Sequence, residues 1–224
     1  MTPFVAHYED LTQGQRTGLR VVTLEQANYP QGPGWRLVVS LLGGDTVYDE
    51  FRFLAKDFSS QIRFVSCGSL VHSVEVYKED GIRGIKVDGG GQNPEELQLT
   101  MEGRRFPNGV VAFLLSRLSL QRGQTYLVPV FSSDMGPDRA NLYQKIEVMG
   151  REKLKAKNGK TFDTWLIQKT MLDQQQQPLT IGGKPFPVVK SWITGAAPYT
   201  IRTDYGSHKQ VWLTGFTPTP KASF

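Results

Sequence analysis

Apolar residues along this chain recur mostly at every second position, the spacing of a strand with one buried face. From Trp35 to Leu42 the run sets Trp35, Leu37, Val39 and Leu41 on one face, with Val38 and Leu42 on the other. A strand apolar on both sides is expected in the middle of a sheet. In the next segment, Val47–Leu54, Phe51 and Phe53 share a face. The same pattern predicts strands over Thr17–Glu25, Gln61–Ser66, Leu70–Tyr77, Ile82–Val87, Asn93–Met101 and Thr125–Phe131. It predicts three more over Ser191–Thr194, Tyr199–Asp204 and Gln210–Phe216. Gly- and Pro-marked turns separate them, as at Gln31–Gly34, Gly43-Gly44-Asp45, Gly68 and Glu79-Asp80-Gly81.

Two stretches stand out. Between Lys145 and Thr170 two alternating segments flank Asn158-Gly159, a strong hairpin signal. A two-residue loop would set Lys157 against Lys160 and mix apolar with charged residues on each face. A three-residue loop, Lys157–Gly159, pairs Leu154 with Phe162 and Lys153 with Asp163, so that register is predicted, with Gly159 at positive φ. Near the middle of the chain the period changes. Val111, Leu114, Leu115 and Leu118 fall at i, i+3, i+4 and i+7 behind Asn108, a good N-cap residue, which predicts a short helix over Gly109–Leu118. A helix that short needs a sheet to lie against.

Polar stretches fill the remainder. Ser132–Asn141, with Gly136-Pro137, reads as a long connection between two halves of a sheet, and Gln174–Pro178 as a loop tip. Gly89-Gly90-Gly91 is a loop without the Lys-Ser/Thr and helix of a phosphate cradle.

Composition narrows the classes. At 224 residues, 39% hydrophobic, with 23 Gly and 13 Pro, the chain fits a packed, turn-rich β domain spanning 1–224. No apolar run approaches the ~18 residues of a membrane span. Met1–Phe4 lacks the basic and apolar regions of a leader, so the chain is expected either to be cytoplasmic or to have lost its leader. The formal charge is +5 and the pI about 9.3. The densest basic cluster, Arg151, Lys153, Lys155, Lys157 and Lys160, alternates with Leu154 and Ala156 as a solvated strand face does, so nucleic acid is not an expected partner.

Candidate chemistry is sparse. The one cysteine, Cys67, reads as a partly buried strand residue, and it excludes an internal disulfide and a thiolate zinc cluster. His7, His72 and His208 lack ligand spacing. His72 alone draws notice, by sharing a face with Leu70, Val74 and Val76. A polysaccharide hydrolase would need two acids facing one groove. The densest acids, Asp45, Asp49 and Glu50, do not offer that pair, because Asp49 and Glu50 point to opposite faces of a strand. There is no Gly-x-Ser-x-Gly elbow. No metal or cofactor is called for.

Several pieces resemble a known family. They are Asp49–Phe58, Phe113–Gly123, Val148–Glu152 with Gly159–Trp165, and Trp192 with Pro198-Tyr199-Thr200-Ile201. Together these segments are similar to the exported bacterial β-domain of unknown function 3108, and the likeness extends over about two-thirds of the chain. The resemblance implies the half-barrel plan of periplasmic lipoprotein carriers, a curved antiparallel sheet wrapping a helix. It brings no catalytic residues.

The expected fold is therefore mainly β: a curved antiparallel sheet or half-barrel, with one short helix packed on its concave face. The expected function is non-enzymatic, a binding or carrier protein of the bacterial cell envelope, periplasmic or exported. Its ligand would be apolar, such as lipid or a lipoprotein acyl chain. An assembly protein acting on an envelope partner through its surface is the second reading, and a hydrolase the third. Four Trp, twelve Phe and eight Tyr either fill a core or line a cavity. If they line one, Trp35, Phe51, Phe53, Leu114, Leu115 and Trp165 are the candidate ligand contacts, under the sheet near the helix.

Overall fold

A computed structural model describes residues 1–43, 47–67, 70–87, 93–132, 141–206 and 208–219; at 70 and 71 it describes the backbone only. The strands are β1 (Phe4–Thr12), β2 (Gln15–Tyr29), β3 (Gly32–Leu42), β4 (Val47–Leu54), β5 (Ser60–Cys67), β6 (Leu70–Tyr77), β7 (Gly81–Val87), β8 (Pro94–Thr100) and β9 (Phe106–Pro107). After the helical segment come β10 (Thr125–Phe131), β11 (Asn141–Lys155), β12 (Thr161–Leu172), β13 (Thr180–Ile181), β14 (Lys184–Pro185), β15 (Val189–Ile193), β16 (Thr200–Asp204) and β17 (Lys209–Pro218). Fifteen of these form one sheet, in the order β8-β7-β6-β5-β4-β3-β2-β1-β17-β16-β15-β12-β11-β10-β9. Its ladders are antiparallel apart from the short β9–β10 pair. β3 lies well inside the sheet, as its two apolar faces require.

β1 joins the two halves. It pairs with β2 on one side and with β17 on the other, placing the first and last strands side by side. Phe4, Ala6 and Tyr8 alternate inward there and are buried. The sheet curls until its outer strands approach each other without a hydrogen-bonded ladder between them. Side chains bridge the gap. Asn141 donates from Nδ2 to the Thr100 carbonyl at 2.9 Å and accepts from the Glu102 amide at 3.2 Å. Ile82, Leu99 and Phe131 pack together, and the Tyr77 and Phe131 rings meet edge-on.

The helix is shorter than its periodicity predicts. A 3-10 turn over Asn108–Val110 leads into α1 (Val111–Leu115). Asn108 does not cap it, because its Oδ1 instead accepts from Gln144 Nε2 at 3.0 Å. The end has a local cause as well. The Ser116 hydroxyl donates back to the Phe113 carbonyl, and the amides of Arg117 and Leu118 bond three residues back rather than four. Three-residue turns rotate the chain off the helical face. Leu118 is consequently 45% exposed, and Leu114 only partly buried, whereas Val111 and Leu115 are buried. The spacing pattern passed over Phe113, which is buried too. It packs with Phe4, Phe53 and Tyr199, while Val111 and Leu115 join a second cluster with Ile146, Ile167 and Ile193. α1 is therefore a plug, apolar on both flanks, on the concave face.

The central hairpin adopts the three-residue loop. Leu154 faces Phe162 and Lys153 faces Asp163. Ala156 and Lys160 close the loop, the Gly159 amide bonds the Ala156 carbonyl at 3.0 Å, and Gly159 has φ +84°. The sequence-predicted turns at Gly44-Asp45, Gly68 and Gly89–Gly91, and most of the Ser132–Asn141 connection, lie outside the described residues.

Candidate functional site

Between α1 and the strands around β1 lies a partly open cavity of about 320 Å³. Its walls are the inward residues of alternating strands: Phe4 and Tyr8 from β1, Val22 from β2, Leu37 and Val39 from β3, Val211 from β17. Gly109, Ala112 and Phe113 form the helical side, and Phe186 and Pro187 the side opposite. Gly109 has to be small, because a Cβ there would come within 2.9 Å of the Phe51 ring. The 3-10 turn thus presses onto Phe51 on one side and faces the cavity on the other.

Arg20, Gln144 and Lys169 are among the polar side chains that interrupt this apolar lining. Arg20 donates from Nη2 to Asp10 Oδ2 at 2.9 Å, but its Nε has no partner. Burial pulls the Arg20 pKa down, and Tyr205 and Asp10 beside it more than reverse that, so the guanidinium stays charged. Gln144 is 4% exposed, held by Asn108, with Oε1 unpartnered. Lys169 shares the inward face of β12 with Ile167 and Met171 and projects its chain into the cavity lining. Among the described residues no hydrogen bond or ion pair reaches its ammonium, and burial lowers its pKa to about 8. Burial also raises the Tyr8 phenol well above its usual range, against the pull of Arg20; its hydroxyl donates to the Thr200 carbonyl at 2.9 Å.

The sequence-predicted ligand residues form the packed wall behind this space. Trp35, Phe51 and Phe53 belong with Phe113 to one cluster, where Phe53 stacks on Phe58, and Leu114 packs against its edge. Leu115 belongs to the other cluster, with Trp165 packed against it beneath the Arg151 guanidinium. None of the six lines the cavity. The polar lining residues went unnoticed, although each carries a signal. Arg20 has the strand parity of Val22 and Leu24, Gln144 that of Ile146 and Val148, and Lys169 that of Ile167 and Met171.

The acids are committed elsewhere. On the concave face Asp49 takes a bidentate pair from Arg63 at 3.0 and 2.9 Å. Arg63 also stands 3.5 Å from Glu75, which accepts from the Tyr77 hydroxyl at 2.9 Å. Burial, with Glu75 beside it, pushes the Tyr77 phenol far up. On the convex face Glu50 accepts from Arg36, Arg52 and Tyr48 at 2.6–2.8 Å. Burial opposes its charge, but those donors prevail and hold the carboxyl down at about 2. Asp49 and Glu50 do point to opposite faces, and both sit mid-strand rather than at a groove. Asp45 lies outside the described residues. Among the described residues no three His, Cys, Asp or Glu converge as a metal site would require. His72 is partly buried, while Ser73 and Glu75, of the other parity, are buried. Cys67 ends β5, partly buried. No helix among the described residues is long and apolar enough to cross a membrane.

No curated protein matches the sequence. The fold is similar to a crystal structure of a β-barrel-like protein of the domain of unknown function DUF1849 from Brucella abortus. That likeness has a TM-score of 0.56 at 14% identity, over 97% of this chain and 98% of the other. It carries the architecture and no residue roles. A family model, Protein of unknown function (DUF3108), matches residues 4–211. The chain belongs to that DUF3108 family.

Proposed function

We propose that this protein is a binding or carrier protein for a small apolar ligand, held in the cavity between α1 and the concave face of the sheet, and that it works in the bacterial cell envelope. The observation that supports the reading is the cavity itself. An interior assembled from Phe4, Leu37, Val39, Phe113 and Phe186 would ordinarily close to crystal-like density, yet about 320 Å³ stays open there. That volume falls at the low end of the ~300–1,000 Å³ of small-molecule sites. It suits one acyl chain rather than the several chains of a lipoprotein anchor. A surface-acting assembly protein would have no use for such a space, so the assembly reading stands second.

Native mass spectrometry of the purified protein, followed by denaturation and extraction, tests the proposal. A co-purified lipid, or saturable binding of an apolar fluorescent probe displaced by a fatty acid, is the expected result. A clean apo mass with no probe binding would remove the carrier reading, and a stoichiometric protein partner in its place would favour assembly.

A further inference from the structure

The cavity lining carries charge, and that restricts its ligand more than its volume does. Among the described residues only Arg20 and Lys169 bring charge to the lining. Arg20 is already compensated by Asp10. Among the described residues Lys169 has no counterion, so of the two lining charges it is the one left uncompensated there.

An unpaired ammonium is costly inside a protein. Unless a partner arrives, such a group tends to lose its proton or reach for water. Nothing in the fold requires a lysine there. Its neighbours on the inward face of β12, Ile167 and Met171, show that an apolar residue fits the sheet at that parity. A second donor, Arg20 Nε, also lacks a partner. Donors without acceptors beside an apolar chamber are complementary to an anionic head on an apolar tail.

We propose that the cavity binds a monoanionic, single-chain amphiphile, a carboxylate-headed acyl chain, whose carboxylate pairs with the Lys169 ammonium while the chain lies along Phe4, Leu37, Val39 and Phe113. This rests on the carrier reading and specifies the ligand. One uncompensated cation matches one negative charge, so a dianionic phosphate monoester head would be left half paired. The small volume admits one chain of medium length. The head pairs with lysine in a partly desolvated space, where a charge-assisted hydrogen bond is about twice as strong as a neutral one. Burial lowers the ammonium pKa to about 8, which is what an unpaired amine in that place should show.

The test titrates delipidated protein with decanoic acid and with decanol at neutral pH, by probe displacement and by calorimetry. Wild type should bind the acid at least about tenfold more tightly than the alcohol, a difference of about 1.4 kcal/mol. Lys169→Met should remove that preference while its affinity for decanol stays within about twofold, which also shows that the variant is folded. Lys169→Arg should restore part of the preference. Three results would overturn the proposal. If wild type binds acid and alcohol equally, or if Lys169→Met weakens both alike, the head-group pairing fails and the apolar-ligand reading survives. If neither compound binds, both fail together.

Discussion

The concave face carries charge in two places and treats it in opposite ways. Across β4, β5 and β6, Asp49, Arg63, Glu75 and Tyr77 form a connected network in which each acid has a donor, and the Arg63 guanidinium lies over the Phe51 ring. Across β12, on the other side of β1, Lys169 shares the inward face with the buried Ile167 and Met171 and has no counterion among the described residues. The first region is a closed polar cluster, fully assembled when the chain folds. The second is a lysine that lines an open space. Buried charge is tolerated when it is paired. Under the proposal above, the partner of Lys169 comes from outside the chain.

The comparison breaks most readily at Arg63. Removing it takes the guanidinium away from Asp49 and Glu75, and Glu75 is 1% exposed. Breaking a buried ion pair from one side typically costs about 3–5 kcal/mol, so Arg63→Met should lower the urea midpoint by a corresponding amount. A cost under about 1 kcal/mol, the worth of a surface pair, would mean that the first region is no more satisfied than the second.

Glu50 offers a milder test of the same half, from the convex face. Its ordinary pKa is 4.5 and its folded value about 2. Between these values the unfolded chain takes up the proton first, so stability from this group is complete above about 4.5 and drains away as the pH falls towards about 2. Glu50→Gln should cost about 1–3 kcal/mol at neutral pH, because a charged acceptor of three donors is lost. It should also flatten this part of the acid unfolding curve. An unchanged acid limb would show that the Arg36, Arg52 and Tyr48 contacts do not favour the charged form.

Much of the architecture was legible in the sequence because period-2 alternation reports burial directly. The positions of most strands, the interior place of β3 and the hairpin register all follow from it. The hairpin was decided by comparing two registers, and in the structure Leu154 meets Phe162 as that comparison required. Gly159→Val should cost about 1–2 kcal/mol, the penalty of a side chain in the left-handed region, since nothing lies within 4 Å of a Cβ there. Asn158→Ala should cost less, as it loses one exposed bond to the Lys160 amide. Equal costs would put the loop in another conformation. β1 escaped notice because His7, Glu9 and Asp10 interrupt the apolar reading, although Phe4, Ala6 and Tyr8 keep the parity. The helix was overextended because its pattern counted Leu118 and could not register the Ser116 back-bond. The site was the least legible part. Large aromatics occur both in the packed core and in the cavity lining, so they do not tell the two apart, whereas Arg20, Gln144 and Lys169 are polar residues at apolar parity, a signal that composition hides.

The smallest expected effect has the opposite sign to the others. If Lys169 is unpaired in the ligand-free protein, its charge works against folding. Lys169→Met in delipidated protein should therefore raise stability, by about 1 kcal/mol or less, since the lysine as a residue is only half-buried and lines a partly open cavity. The gain should depend on pH in a defined window. The unfolded lysine titrates near 10.5 and the folded one at about 8. Below about 8 both states are protonated and the penalty is complete. Between about 8 and 10.5 the unfolded chain holds the extra proton, so wild-type stability rises with pH and the variant's advantage shrinks. Above 10.5 both states are neutral and the advantage vanishes. Paired denaturation curves for wild type and Lys169→Met at pH 7, 9 and 11 measure this directly. A variant less stable than wild type at pH 7 would mean that the lysine already has a partner within the chain. The two halves of the concave face would then treat charge alike.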